Sequence, residues 1–373
     1  MYPDQAAVLF PMESTGILTG ASYSLTPLSV SLPSLTSTSG QVMPPSGNTR
    51  QIPPNTPVNY APIAAILGNL AGDWSSEELR NGYTESANLT VEQQLPWGLV
   101  WGVSGVTTDS SNQFNPRYPN GYTGAEPAYA PYSAVTPGLG EVELFYNQGI
   151  IHYLSMQTQL RKNARNFELQ ANYSWTSDLT NNDDIFSGNG NGADSPNNPS
   201  CISCEYGPAM NSVRQRFITN STYLVPGQWG AVPQSLSRGW QVSGIYNVQT
   251  GFPFSITSPY GTLPYGIGGA VRPFFIQKAP RNSSHGSPQF FTNDVLANPG
   301  NYWSIPTSTS PTGIGTVQTA PGNLGRNTYI GPGWWNLDFS VSKDTTFVHE
   351  TKLQLRAEFF NIFNHTTFAS PGG

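Results

Sequence analysis

From Phe167 to Asp178 the chain alternates strictly. Phe167, Leu169, Ala171, Tyr173 and Trp175 fall on one side, and Glu168, Gln170, Asn172, Ser174 and Thr176 on the other. A period of two predicts a β-strand with one apolar and one polar face. The pattern recurs along the chain in runs that group into four pairs. Ala87 to Leu95 and Leu99 to Thr108 flank the tight "PWG". Ile151 to Lys162 and Phe167 to Asp178 flank "NARN". Arg214 to Val225 and Gly239 to Ile256 form a third pair. Trp334 to Phe347 and the run from Lys352 form a fourth. In that last run Leu353, Leu355 and Ala357 oppose Gln354, Arg356 and Glu358, and the alternation ends in the aromatic "FFNIF".

The links are unequal. Within pairs they are short. Between pairs they run over 109–150, 179–213 and 257–333, rich in Asn, Ser, Gly, Pro and Tyr. A soluble sandwich distributes long loops between both ends, whereas an outer-membrane barrel has short periplasmic turns and long extracellular loops. A tilted strand needs ~9–11 residues to cross a bilayer, and these runs have that length. Lipid also demands an apolar outer face and tolerates a polar inner one, with aromatic girdles at the interfaces. Strands of a soluble sandwich alternate too, so strand length, loop asymmetry and low charge decide between the two. The expectation is an all-β fold: an antiparallel transmembrane β-barrel segment of about eight strands with long extracellular loops. Residues 86–373 form the partial barrel. Residues 1–85 form a Pro/Ser-rich extended outer loop region, with a short helix around "APIAAILGNLAGDWSSEEL".

Composition agrees. Only 10% of the 373 residues are charged, against ~25% in ordinary soluble domains. Gly (38) and Pro (33) are abundant, and aromatics reach 12%, which argues for an ordered, turn-rich β protein over a disordered one. A net charge of −6 provides no basic field for nucleic acid. The longest apolar run, Ala61 to Gly72, is too short for a membrane helix. The first residues, "MYPDQAAVLFPM", lack the basic start and apolar centre of a secretory signal. Either the protein is not exported, or this is not its natural beginning.

Candidate chemistry is sparse. Cys201 and Cys204, in "SCISCEYG", allow a local disulfide in an oxidising compartment or two free thiols. His152, His285, His349 and His365 are scattered, so no metal set is predicted. Asp183 and Asp184 are adjacent in an Asn/Gly-rich loop without the spacing of a calcium loop. Glu141 and Glu143 lack a second acid placed opposite them. No catalytic residues and no cofactor are predicted, and the expectation is a non-enzyme. Arg214, Arg216, Lys352 and Arg356 take inward faces, with Gln354 and Glu358 as further lumen-facing candidates. They either meet a plug or an anionic solute, or balance Glu358, Glu168 and Asp338 on neighbouring strands. The Tyr- and Asn-rich loops suit an oligosaccharide or a peptide, which leaves a surface-attached or secreted adhesin or glycan-binding protein as the alternative.

Three blocks carry a family resemblance: "GWQVSGIYNVQTGFPFSI", "GRNTYIGPGWWNLDFSVSKDTTF" and "LQLRAEFFNIFNHTTF". They resemble the C-terminal barrel strands of TonB-dependent outer-membrane transporters of the Oar-like, acidobacterial type. "NLTVEQQLPWGLVWGVSGV" and "LSMQTQLRKNARNFELQANYSWTSDLTN" are similar to the strands before these. The resemblance implies the bacterial cell outer membrane, surrounding lipid, a plug domain, the TonB energising complex and an extracellular substrate of unknown identity. It also implies a 22-stranded plugged barrel. No plug, energy-coupling box or regulatory domain is visible here, and the chain stops at "ASPGG". The expectation is therefore a fragment lacking plug and final strand, not competent for transport alone.

Overall fold

The computed structural model describes residues 70–371, apart from short stretches at 77–78, 123–124, 126, 182, 184–195, 200, 228–229, 231, 261, 264–265, 268–270, 283–288, 310–314 and 347–350, together with residues 36–37 and 58–59. Eight strands form one antiparallel meander, each paired with the next: β1 (Tyr83–Leu95), β2 (Leu99–Arg117), β3 (Leu139–Ala164), β4 (Phe167–Thr180), β5 (Gln215–Leu224), β6 (Trp240–Gln249), β7 (Trp334–Thr346) and β8 (Lys352–Phe359). The sheet does not close. β1 and β8 are its edges, and β8 is exposed along its whole length.

Pairing registers carry the alternation across all eight strands. On one face Leu89 and Val91 sit beside Gly105 and Val103, followed by Met156 and Thr158, then Trp175 and Tyr173. Farther along that face Phe217, Val248 and Trp335 share a row, and Phe339 meets Phe359. The opposite face carries Thr90, Ser104, Gln157, Ser174 and Arg216, continuing to Ser342 and Arg356. Among the described residues no second layer covers the apolar face: Leu89 is 74% exposed, Val91 60% and Leu355 63%. A sandwich would bury these positions against a facing sheet.

The tight turn between β1 and β2 has two residues in the left-handed region, Trp97 at φ 63° and Gly98 at φ 69°. A non-glycine residue is uncommon there, and the turn holds the Trp97 ring out at 84% exposure. An exposed indole at a strand end suits a headgroup layer.

At the other end β2, with 19 residues, and β3 outrun any bilayer. β3 has 26 residues, roughly 85 Å at about 3.3 Å each. Beyond the end of β4 its free edge pairs in parallel with Leu70–Ser75. The short helix expected here is therefore corrected over these six residues: an open β edge recruits extended backbone. Residues 61–69 of that stretch lie outside the described ones. Strand bounds shift elsewhere too. β1 begins inside the expected loop region, and the "GFPFSI" end of the third pair leaves the sheet, with Pro253 and Phe254 pairing instead with Ile330 and Tyr329.

The long connections, expected as extracellular loops, build a folded cap at this end. The link from β6 to β7 has its own core: Phe254, Val295, Tyr302, Trp303, Leu324 and Tyr329, with Phe290 and Phe291 packed against it. Several of its rings meet edge to face, Phe254 on Phe290 at 5.1 Å and Phe291 on Trp303 at 5.5 Å.

Candidate functional site: a polar wall beneath a locked cap

The polar face is hollowed. A depression of about 470 Å³ spans β1 to β5, bordered among others by Thr90, Glu92, Gln159, Asn172, Ser174 and Arg216. Cross-strand hydroxyl pairs line this face: Thr84 with Ser110 at 2.8 Å, Thr90 with Ser104 at 2.9 Å, and Thr222 with Ser243 at 3.1 Å. Arg161 reaches over β2 to Glu92 at 2.5 Å. Gly102 lies between their strands, and a Cβ there would stand 3.3 Å from Glu92 Cγ. The glycine keeps the crossing open.

The residues singled out from sequence are distributed as follows. Arg216, Gln354, Arg356 and Glu358 lie on the polar face. Arg356 pairs with Glu358 on its own strand at 2.8 Å, and Gln354 donates to Asp344 at 2.8 Å. Lys352 starts β8 opposite Thr346. Arg214 differs: it precedes β5, and its guanidinium lies 5.8 Å from the ring of Trp175, a side chain of the apolar face. Asp338 accepts from the Asn361 backbone N–H at 2.9 Å. Glu143 accepts from the Tyr118 hydroxyl at 3.1 Å. His152 pairs with Asp109, and His365 stacks on Trp335. Asp184, His285 and His349 lie outside the described residues.

Cys201 and Cys204 are joined by a disulfide. It encloses the first residues of a single helical turn, Ile202–Glu205. The turn delivers Glu205 into the centre of the cap.

There Arg272 donates to both Glu205 carboxylate oxygens, at 2.7 and 2.9 Å, and through Nε to the Leu324 carbonyl at 2.8 Å. Asn197 adds a backbone N–H to Glu205 and accepts from the Arg272 N–H. A second arginine, Arg326, pairs with Asp183 at 2.6 Å and donates to the carbonyls of Glu205 and Thr180. Thr180 is the last residue of β4, so this network fastens the β6–β7 connection to the exit of β4. Burial pushes the Asp183 carboxyl up, against the pull of Arg326 and of the Met210 N–H. Burial likewise pushes Arg326 down. Removing the charges from water is costly, and mutual contact with full hydrogen bonding offsets that cost. Gly322 closes the arrangement, because a Cβ there would fall 2.1–2.2 Å from the carbonyl oxygens of Pro273 and Arg272.

This network leaves no local signal in the sequence. Arg272 and Glu205 are 67 positions apart, Arg326 and Asp183 143. Arg272, Glu205 and Arg326 are each lone charges among Gly, Pro and Asn, and Asp183 was marked only by its neighbour Asp184, so no periodicity linked the four.

Comparison with known proteins supplies a family match and a likeness among solved structures. A family model described as "Outer membrane beta barrel domain" matches residues 13–373. Among solved structures, the outer membrane transporter YddB from Escherichia coli is similar, at 9% identity and a TM-score of 0.38, over 79% of this chain and 30% of that one. The chain thus spans under a third of that transporter's length. No curated protein matches.

Proposed function

Given that the chain belongs to the outer membrane beta barrel domain family and lies in the bacterial outer membrane, we propose that it forms one sector of the wall of a TonB-dependent receptor that imports a nutrient. The carrying observation is the two-sided sheet with two unpaired edges. Among the described residues, its apolar face is uncovered, its hydroxyl- and amide-rich face is hollowed, and neither β1 nor β8 has an outer partner. Unpaired backbone is not tolerated in hydrocarbon, so such a sheet calls for more strands to complete a closed wall. A plug domain would then occupy the polar side, and the inner-membrane energising complex would drive its release. The cap would receive the nutrient from outside, and the wall would guide it without chemical change. The strand blocks that resemble TonB-dependent transporters support this reading.

Uptake of candidate nutrients by cells carrying the whole receptor tests it, with and without the energising complex. Uptake should stop when the complex is removed. Uptake of equal rate without it would overturn the proposal.

A further inference from the structure

Arg216 stands at a junction. It borders the 470 Å³ hollow on the polar face, and it also borders a second hollow of about 340 Å³ at the outer ends of β5 and β6. Arg281, from the cap, borders that second hollow as well. Neither arginine has a carboxylate partner among the described residues. Arg281 holds its guanidinium 5.3 Å from the Phe290 ring. Arg216 has uncharged neighbours across both of its strands, Ser174 and Gln249. Arg161, Arg356, Arg272 and Arg326, by contrast, are each matched to an acid.

The rest of the second hollow's border comes from strand residues, among them Phe217, Val248 and Gln249, and from a glycine-rich crossing at Gly251, Gly331 and Gly333. A Cβ on Gly251 would lie 2.2 Å from the Gly331 oxygen, and one on Gly333 2.6 Å from the Gln249 oxygen. These glycines let the exit of β6 pass close to the approach to β7. Two arginines without carboxylate partners that border one open hollow favour an oxyanion, which guanidinium groups bind with paired N–H donors.

We propose that Arg281 and Arg216 form a two-step oxyanion site, cap first and wall second. A solute bearing a phosphate or carboxylate group would move along it from the outer hollow to the polar face. The direction of movement rests on the transport reading; the binding does not.

Calorimetric titration of the full chain in detergent micelles, with inorganic phosphate and separately with citrate at low ionic strength, tests the site. At least one should bind saturably, and which one identifies the oxyanion class. Arg216→Gln and Arg281→Gln should each weaken binding about tenfold or more, the expected loss of a charged hydrogen-bonding group. Arg216→Lys, which keeps the charge, should retain part of the affinity. Arg356→Gln, on the same face but paired with Glu358, should leave it unchanged. Absence of saturable binding by either anion would overturn the site, as would equal losses in R216Q, R281Q and R356Q. If binding persists while uptake fails to need the energising complex, only the transport reading falls. If energised uptake persists without binding, only the oxyanion site falls.

Discussion

Arg272 and Glu205 meet through two parallel hydrogen bonds with both side chains 2% exposed. They lie on different connections, so this pair, together with Arg326 and Asp183, ties the two into one cap. Breaking a buried pair by removing one partner leaves an uncompensated charge, at a cost of about 3–5 kcal/mol. Arg272→Met or Glu205→Gln should therefore open the cap, and limited proteolysis should cut residues 250–333 much faster. The joint change Arg272→Met with Glu205→Leu should cost less than R272M alone, because no orphan charge remains. A double variant at least as labile as R272M would refute the electrostatic account.

The disulfide between Cys201 and Cys204 restrains the turn that presents Glu205. Closing so short a loop removes roughly 2 kcal/mol of unfolded-chain entropy. Cys201→Ser with Cys204→Ser should lower the cap's melting temperature, and a reducing agent should do the same to the wild type and nothing to the variant. Equal sensitivity of the two proteins to reductant would show that the bridge is idle.

Leu337 and Ser340 lie on opposite faces of β7, in register with Tyr246 and Ser243. An arginine facing hydrocarbon near the bilayer midplane costs about 2–4 kcal/mol, and one facing the polar side costs little. Leu337→Arg should sharply reduce insertion into lipid vesicles, whereas Ser340→Arg should insert almost normally. The reverse ranking would mean that the faces are assigned the wrong way round.

Tyr302 donates to Asp294 at 2.5 Å, and Asn298 adds a bond at 3.1 Å. These bonds hold the Asp294 carboxyl below its ordinary range, and the contact with Asp294 holds the Tyr302 hydroxyl above its own. An acid lowered in the folded state stabilises fully above its unfolded value of about 3.9, and the contribution is lost as pH falls through the folded value. A tyrosine raised in the folded state contributes fully below about 10, and the contribution is lost as pH climbs through its folded value. Amide protection of Asn293–Ala297, corrected for intrinsic exchange, should be flat between these limits and fall at both ends. Tyr302→Phe should flatten both limbs; retained limbs would assign them to other groups.

How much was visible in advance follows from the range of each interaction. Alternation from Phe167 to Trp175 states which residues share a face, because in an extended chain that relation is purely local. The faces of β7 and β8 were readable in the same way, down to Leu355 on one side and Arg356 on the other. Length asymmetry among the links told one end of the sheet from the other. Boundaries were less clear. The end of the third pair, around Pro253, continued the apolar pattern, yet proline contributes no ladder donor, and the chain left the sheet before it.

By itself, then, the amino-acid order determined the strands, their two faces and the membrane setting that those faces require. Only the tertiary structure decided that the long links form a packed cap, that Leu70–Ser75 joins the edge of β3, and that Arg272 finds Glu205. The physical reason is distance along the chain. A strand's faces are set by neighbours two positions away, whereas a buried ion pair is set by whichever distant loops the packing brings together, and no local pattern encodes that meeting.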